Sequence, residues 1–330
     1  MEESWIKLLN SFPESNFLQS PLWAETNRLI GHRLVVRTFD DKAFFLGIIK
    51  DARRGRYLEI PGGPLLDWTN KSLVKEVFTT VLNEAEKEKC VFVRFRPALD
   101  NSEENQALVN FLSTFSDLRR SPMHLHAQNT VILDLKKSED DLLMSMRRQT
   151  RYEVRRSEKL ELTVEENNSE SAFKEFHSVQ LETAHRQNFV PPSEKELLAE
   201  RSAFKDNAHL YISKTPEGEP ISYGLVLSFG REAEYFEAAS TDLNRKLPGS
   251  YALLWHAICD MKRLGFERFN LWGIAPPNVE HHRYSGVTTF KTGFGGEIKE
   301  FIPAHDLVVN KFRYKLDEFV ETRRKKKRNL

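Results

Sequence analysis

An order of strands and helix that occurs twice restricts this chain more than any other feature. Arg33–Phe39 and Ala43–Lys50 read as two strands joined by a turn at Asp40-Asp41, and Arg56–Ile60 as a third strand that ends at Pro61-Gly62-Gly63-Pro64. Asn70 or Ser72 then caps a helix to about Lys89, with apolar Leu73, Val77, Val81 and Ala85 at four-residue spacing, and Val91–Phe95 follows as a strand. The second half repeats the order. Ile221–Phe229 and Glu234–Ala239 read as paired strands, Pro248-Gly249-Ser250 opens a helix to about Leu264, and Phe266–Leu271 is a buried strand. Tyr57–Pro61 matches Tyr235–Ala239, and Phe92 then falls near Phe269. The fold class that follows is α/β with mixed sheets (α+β in detail), in two similar units.

A chain of 330 residues with 40% hydrophobic and 29% charged residues can bury a sizeable core, which argues against a disordered or fibrous protein. Its 49 Lys and Arg against 48 Asp and Glu leave a formal charge of +1, so any surface for a polyanion is local. Cys90 and Cys259 stand far apart in apolar stretches, which excludes a disulfide scaffold and a cysteine zinc cluster and makes a reducing cytoplasm the expected location. The first residues lack the basic and apolar regions of a signal peptide, and no apolar run approaches the roughly 18 residues of a membrane span. A lipid-linked substrate would therefore be met peripherally, at the inner membrane face.

Charge gathers between the two units. Asp140–Lys159 reads as one long helix carrying Arg147, Arg148, Arg151, Arg155, Arg156 and Lys159. Arg147, Arg151 and Arg155 recur every fourth residue and form one stripe, suited to phosphates; a solvated face paired with Glu153 and Glu158 explains the same pattern equally well. The chain closes with a helix at about His305–Thr322 and a basic run over 323–330 expected to be disordered. His281-His282 lacks a third ligand at sensible spacing, so no metal is expected. No Gly-x-Ser-x-Gly elbow or Cys and His arrangement marks a covalent nucleophile.

The segments Phe17–Trp23, Pro61–Pro64, Arg147–Arg156, Thr183–Arg186, Leu271–Ile274 and Gly286–Gly296, in this order, resemble the FemABX family over nearly the whole chain. That resemblance implies two GNAT-like acyltransferase domains packed side by side: residues 1–130 completed by the helix 305–322, and residues 131–304. It implies an aminoacyltransferase that passes an amino acid from aminoacyl-tRNA to the stem peptide of a peptidoglycan precursor, with no cofactor beyond the charged tRNA. The inserted coiled-coil arm of some members is absent from the pattern.

Gly286–Gly296 sets four glycines around Phe290-Lys291. Taken by itself such a stretch reads either as a surface turn with an incidental lysine or as a loop that lets backbone and an ammonium approach a ligand. The resemblance assigns Lys291 to the reacting carbonyl, as the group that steadies the developing oxyanion or the leaving 3′-oxygen, with Phe290 as its packing support. It also implies substrate contacts for Arg147, Arg151 and Arg155 with phosphate, for Arg186 with the acceptor, and for Trp272, Gly273 and Gly295 beside the lysine.

Three positions depart from the family pattern. Pro192 and Glu196 stand where members acting on soluble UDP-linked precursors carry Arg and Tyr, which favours a lipid-linked muropeptide. Arg96 stands where some relatives have an acid, so no carboxylate base is proposed. An N-acyltransferase using acyl-CoA is the alternative enzyme, but Pro248 interrupts the glycine-rich turn that such an enzyme lays against the coenzyme pyrophosphate. A noncatalytic RNA- or precursor-binding protein is the alternative outside catalysis.

Overall fold

The computed structural model describes residues 2–53, 55–187, 189–277, 279 and 282–328, with side chains from Trp5 to Arg323. The chain divides into two compact units: residues 1–129, 275–283 and 299–330 form the first, and residues 130–274 and 284–298 the second.

The first unit is built on a mixed sheet. Its strands run in the order Arg33–Phe39, Ala43–Ala52, Gly55–Gly62, Cys90–Pro97, His305–Val308 and Leu118–Arg120, with Leu65–Leu66 paired to the second. Asp40 and Asp41 adopt positive φ in the expected hairpin turn. Asn70 caps the helix Lys71–Lys87 by accepting from Leu73 N at 3.1 Å, and the buried stripe Leu73, Val74, Val77, Phe78 and Val81 lays that helix on the sheet. The crossover returns the chain parallel to Gly55–Gly62, with Pro61 opposite Arg96.

The second unit repeats this plan in the order Glu297–Glu300, Asn129–Asp134, Arg268–Asn270, Glu232–Ser240, Pro220–Phe229, Ala208–Lys214 and Thr163–Glu166. Pro220–Phe229 and Glu232–Ser240 are antiparallel, the helix Gly249–Arg263 crosses over, and Arg268–Asn270 lies parallel to Glu232–Ser240. The pair of similar α/β units read from the repeated order is thus present. Helices cover both faces: Tyr223 reaches Glu175 of the helix Glu170–Gln187, and a side chain added to Gly224 would meet Leu253 of Gly249–Arg263.

Four expectations need correction. Asp140–Lys159 is two helices, Glu139–Ser145 and Arg148–Lys159, because Met146 and Arg147 are extended and Arg147 N donates to Gly293 O at 2.8 Å. Gly286–Gly296 is mostly a helix, Ser285–Thr292, whose Thr288 and Thr292 hydroxyls bond back one turn; the glycine turn begins only at Gly293. The segment from His305 starts as a strand, His305–Val308, inserted between Cys90–Pro97 and Leu118–Arg120. The following helix, Lys311–Arg328, extends into the run expected to be disordered.

A buried ion cluster fastens that last helix to the first sheet. Arg94 forks onto Asp306 with two contacts of 2.8 Å, reaches Glu321 at 2.8 Å, and Tyr314 Oη donates to Asp306 at 2.9 Å. Asp306 is fully buried, so removing it strands the guanidinium away from water. Asp306→Ala is expected to cost about 3–5 kcal/mol in urea unfolding, against less than about 1 kcal/mol for alanine at the exposed Arg28–Glu25 pair.

Candidate active site

The site in the second unit is assembled around one buried amine. Phe290 and Phe294 pack against Tyr251 of the helix Gly249–Arg263, with ring centroids 5.0 Å apart for Phe290–Tyr251 and 5.3 Å for Phe290–Phe294. This aromatic contact fixes one face of Ser285–Thr292 and turns Lys291 inward, where only 8% of it is exposed. Its Nζ donates to Gly273 O at 3.0 Å and stands 5.9 Å from the centre of the Tyr235 ring.

The carbonyl that receives Lys291 is itself held in place. Trp272 is left-handed, with φ of 60°, a costly conformation for so bulky a residue. Asn270 Oδ1 accepts from Trp272 N at 2.9 Å and from Thr130 Oγ1, while Thr130 Oγ1 also lies 3.2 Å from Trp272 O. Asn270 Nδ2 in turn donates to Glu232 at 2.9 Å. The Trp272 ring leans edge-on against Phe236 at 5.4 Å. This bonding lies beyond the carboxyl end of Arg268–Asn270, the place where open α/β sheets receive ligands.

Burial pushes the Lys291 amine down to about 7, since no carboxylate among the described residues offsets its removal from water. Near neutral pH the group is therefore present in both protonation states. A bulge at Phe236 explains why no acid of its own strand reaches it. The register slips between Leu225 and Val226, so that Tyr235 opposes Val226 and Glu237 opposes Leu225. Tyr235 thus faces the lysine side, and Glu237 faces the other helix layer, where it accepts from Gln180 at 2.7 Å. There Glu237 and the buried Glu200 are both held above the usual carboxylate range by burial.

Of the residues singled out from sequence, Lys291, Phe290, Trp272 and Gly273 come together. Arg147 and Gly295 belong to the adjoining turn. Arg147 Nη2 donates to Thr289 O at 2.8 Å, and a Cβ on Gly293 would overlap Thr150 Oγ1, so only glycine lets the two helices meet this closely. Gly295 has φ of 83° and brings the chain against Ser145. Arg151 Nη1 is engaged with Met144 O at 3.0 Å and Met146 O at 3.2 Å. Arg155 is exposed and, among the described residues, makes no ion pair or hydrogen bond. Arg186 lies apart from Lys291, donating to Ser240 O and to Thr183 Oγ1 at 3.1 Å.

The outward stripe of Arg148–Lys159 differs from the one drawn by spacing. Thr150, Val154 and Ser157 face inward, which leaves Arg148, Tyr152, Arg155 and Lys159 along the exposed side. Arg156 ties the helix to the neighbouring turn through Lys246 O at 2.9 Å. At the start of Gly249–Arg263, Asn244 Oδ1 already accepts from Ser250 N at 2.9 Å, so a backbone amide there is taken. Among the described residues no group of three or more His, Cys, Asp and Glu could hold a metal, and no helix is long and apolar enough to cross a membrane. His281 lies outside the described residues.

Sequence reasoning did not single out Tyr235, Asn270 or Thr130. Asn270 precedes the Leu271–Ile274 segment directly, and its amide was the one signal available.

A family model described as the FemAB family matches residues 4–219 and 194–322. Aminoacyltransferase FemB of Staphylococcus epidermidis is 30% identical over 94 residues, which is 28% of this chain and 22% of that protein. Aminoacyltransferase FemA of Staphylococcus aureus is 30% identical over 92 residues, again 28% of this chain and 22% of that protein. The aligned part is thus under a quarter of the length of those curated relatives. The crystal structure of FemX superposes with a TM-score of 0.84 at 18% identity, covering 96% of this chain and 98% of that one. The structure of L-PGS from Bacillus licheniformis superposes with a TM-score of 0.61 at 16% identity, covering 98% and 96%. These two likenesses concern the fold.

The buried amine gives the second unit a pH signature. The unfolded chain holds the Lys291 proton up to about 10.5 and the folded chain only up to about 7, so between these values unfolding takes up a proton. Stability contributed at this position therefore rises with pH from about 7 to 10.5 and is smallest below 7. Lys291→Met is expected to remove that rise and to be more stable than the parent chain at pH 6, measured by urea unfolding across pH.

Proposed function

Because the chain belongs to the FemAB family, we propose that it is an aminoacyltransferase, moving an amino acid from the ester of an aminoacyl-tRNA to an amine on the stem peptide of a peptidoglycan precursor. The observation that carries this reading is the buried Lys291 amine, poised near neutrality on the Gly273 carbonyl.

An aminoacyl ester is already activated, so aligning it with the acceptor supplies much of the rate, and no covalent enzyme intermediate is required. The acceptor nitrogen attacks the ester carbon, the carbonyl oxygen becomes an oxyanion, and the bond to the 3′-oxygen of the ribose then breaks. The nitrogen loses one proton and the leaving oxygen gains one. An amine near 7 is matched to this exchange: as the ammonium it stabilises the oxyanion and protonates the leaving oxygen, and it recovers a proton as the new amide forms. Phe290 holds the lysine's helix on Tyr251, and the left-handed Trp272 presents the carbonyl that aims Nζ.

The donor's phosphates fit the exposed stripe of Arg148, Arg155 and Lys159, which Tyr152 interrupts with an aromatic face. Arg147 and Arg151 serve this surface indirectly, by fixing the start of the helix that bears it. Arg186 steadies the end of the strand Glu232–Ser240 on the acceptor side. Glu196, where members acting on UDP-linked precursors carry Tyr, accepts from Ser193 N at 2.7 Å in a capping box. That favours a lipid-linked acceptor, met by peripheral contact with a membrane.

Discharge of aminoacyl-tRNA in the presence of a lipid-linked precursor tests the reading. Lys291→Met is expected to lower turnover by about 10²- to 10³-fold, with little change in the donor's KM; undiminished turnover would sink it. Replacing Arg148, Arg155 and Lys159 together by alanine is expected to reduce the salt slope of tRNA binding by about 2–3. The same change at the exposed Lys42, Lys75 and Lys315 of the first unit should leave that slope as it was.

A further inference from the structure

The first unit carries its own buried cation at the matching place in its topology. Arg96 is the penultimate residue of Cys90–Pro97, opposite Pro61 at the carboxyl end of the parallel pair with Gly55–Gly62. In the second unit the corresponding strand end leads to Gly273 and Lys291.

Arg96 is 4% exposed, and its one hydrogen bond among the described residues runs from Nε to Leu125 O at 2.8 Å. The guanidinium carbon lies 5.2 Å from the centre of the Phe301 ring. No acid forms an ion pair with it among the described residues, and buried Nη1 has no partner. Its neighbour Arg94, two residues back on the same face of the strand, shows what this chain does with a structural arginine: both edges of the fork are closed by Asp306 and Glu321. A buried guanidinium whose fork is left open costs stability, a cost that a bound anion would offset.

We infer that Arg96 anchors a carboxylate-binding subsite, its Nη edge taking the two oxygens of a peptide carboxylate while Phe301 covers one face of the guanidinium. Fork geometry suits a planar carboxylate through two parallel hydrogen bonds. The charge balance favours one negative charge over two. Burial and nearby cations push His126 down to about 3, so it stays neutral, and Lys50 donates to Asn27 at 3.3 Å and sits close enough to Glu59 to interact with it. Arg96 is left as the open positive charge. Burial alone moves it down, to about 10, so it remains cationic at neutral pH. In an enzyme whose acceptor is a peptide, the ligand is a carboxylate of that acceptor. This identification rests on the function proposed above, whereas the open guanidinium does not.

Ligand-observed NMR titration with Nα-acetyl-L-Lys-D-Ala-D-Ala and its carboxy-terminal amide reads the subsite directly. The parent chain is expected to bind the acid at least about tenfold more tightly than the amide, the scale of a hydrogen bond to a charged group. Arg96→Gln should bind the two peptides equally and melt no lower than the parent, because an uncompensated charge has been removed. Arg96→Lys, which keeps the charge without the fork, should retain only part of the preference and decides the matter if Arg96→Gln melts early. Equal binding of acid and amide by the parent chain, or an undiminished preference in either variant, would overturn the subsite. Inorganic phosphate displacing the acid peptide as strongly as an equal concentration of that peptide would overturn the carboxylate assignment. Acid preference without aminoacyl transfer to a lipid-linked precursor keeps the subsite and removes the proposed function; transfer to that precursor without acid preference does the reverse.

Discussion

The candidate site of the second unit is organised around a single contact, the buried Lys291 ammonium resting on the Gly273 carbonyl. With one neutral acceptor and one aromatic ring around it among the described residues, the cation is poorly compensated, and burial moves its proton affinity toward neutrality. Everything nearby serves to keep the contact in register. The Phe290, Phe294 and Tyr251 rings fix the helix, while Asn270 and Thr130 hold Trp272 in the conformation that offers the next residue's carbonyl. A salt bridge would have held the amine more firmly and left it permanently charged. Weak compensation is what leaves its proton affinity near neutrality.

The two units solve the same topological problem with different residues. Each has an antiparallel pair, a crossover helix and a parallel strand, and each sets a buried cation at the end of that parallel arrangement. In the second unit the cation is a lysine delivered by a later helix; in the first it is Arg96, delivered by the strand itself. Placing these cations at strand ends spares the cores between sheet and helix, where Phe95, Phe78, Leu253 and Phe269 remain apolar and close-packed.

Local periodicity made much of this legible. Strand alternation and the four-residue spacing of Leu73, Val77 and Val81 were sufficient for the repeated core, since burial of one face is what creates those patterns. Lys291 was also within reach, although its surroundings were not: four glycines suggested a loop, whereas Phe290 and Phe294 draw the segment into a helix by packing on a residue some forty positions earlier. The arginine stripe was legible only in part. Arg147 is the cap before the helix, so counting by fours from it joins Arg147 and Arg151, which are turned toward backbone carbonyls, to the exposed Arg155. His305–Val308 is a strand because Cys90–Pro97 and Leu118–Arg120 pair with it, and no local pattern reports such distant partners. The open fork of Arg96 is likewise a property of what fails to surround it, which a sequence does not display.

The extra residue at Phe236 has one more implication. Strict alternation along Glu232–Ser240 would turn Tyr235 and Glu237 toward the same layer, and the carboxylate would then share the compartment of the amine. Opposite charges brought together there would neutralise one another and fix the lysine as a spectator ion. A one-residue irregularity in a strand thus acts as an insulator, keeping Glu237 on one side and the labile proton on the other.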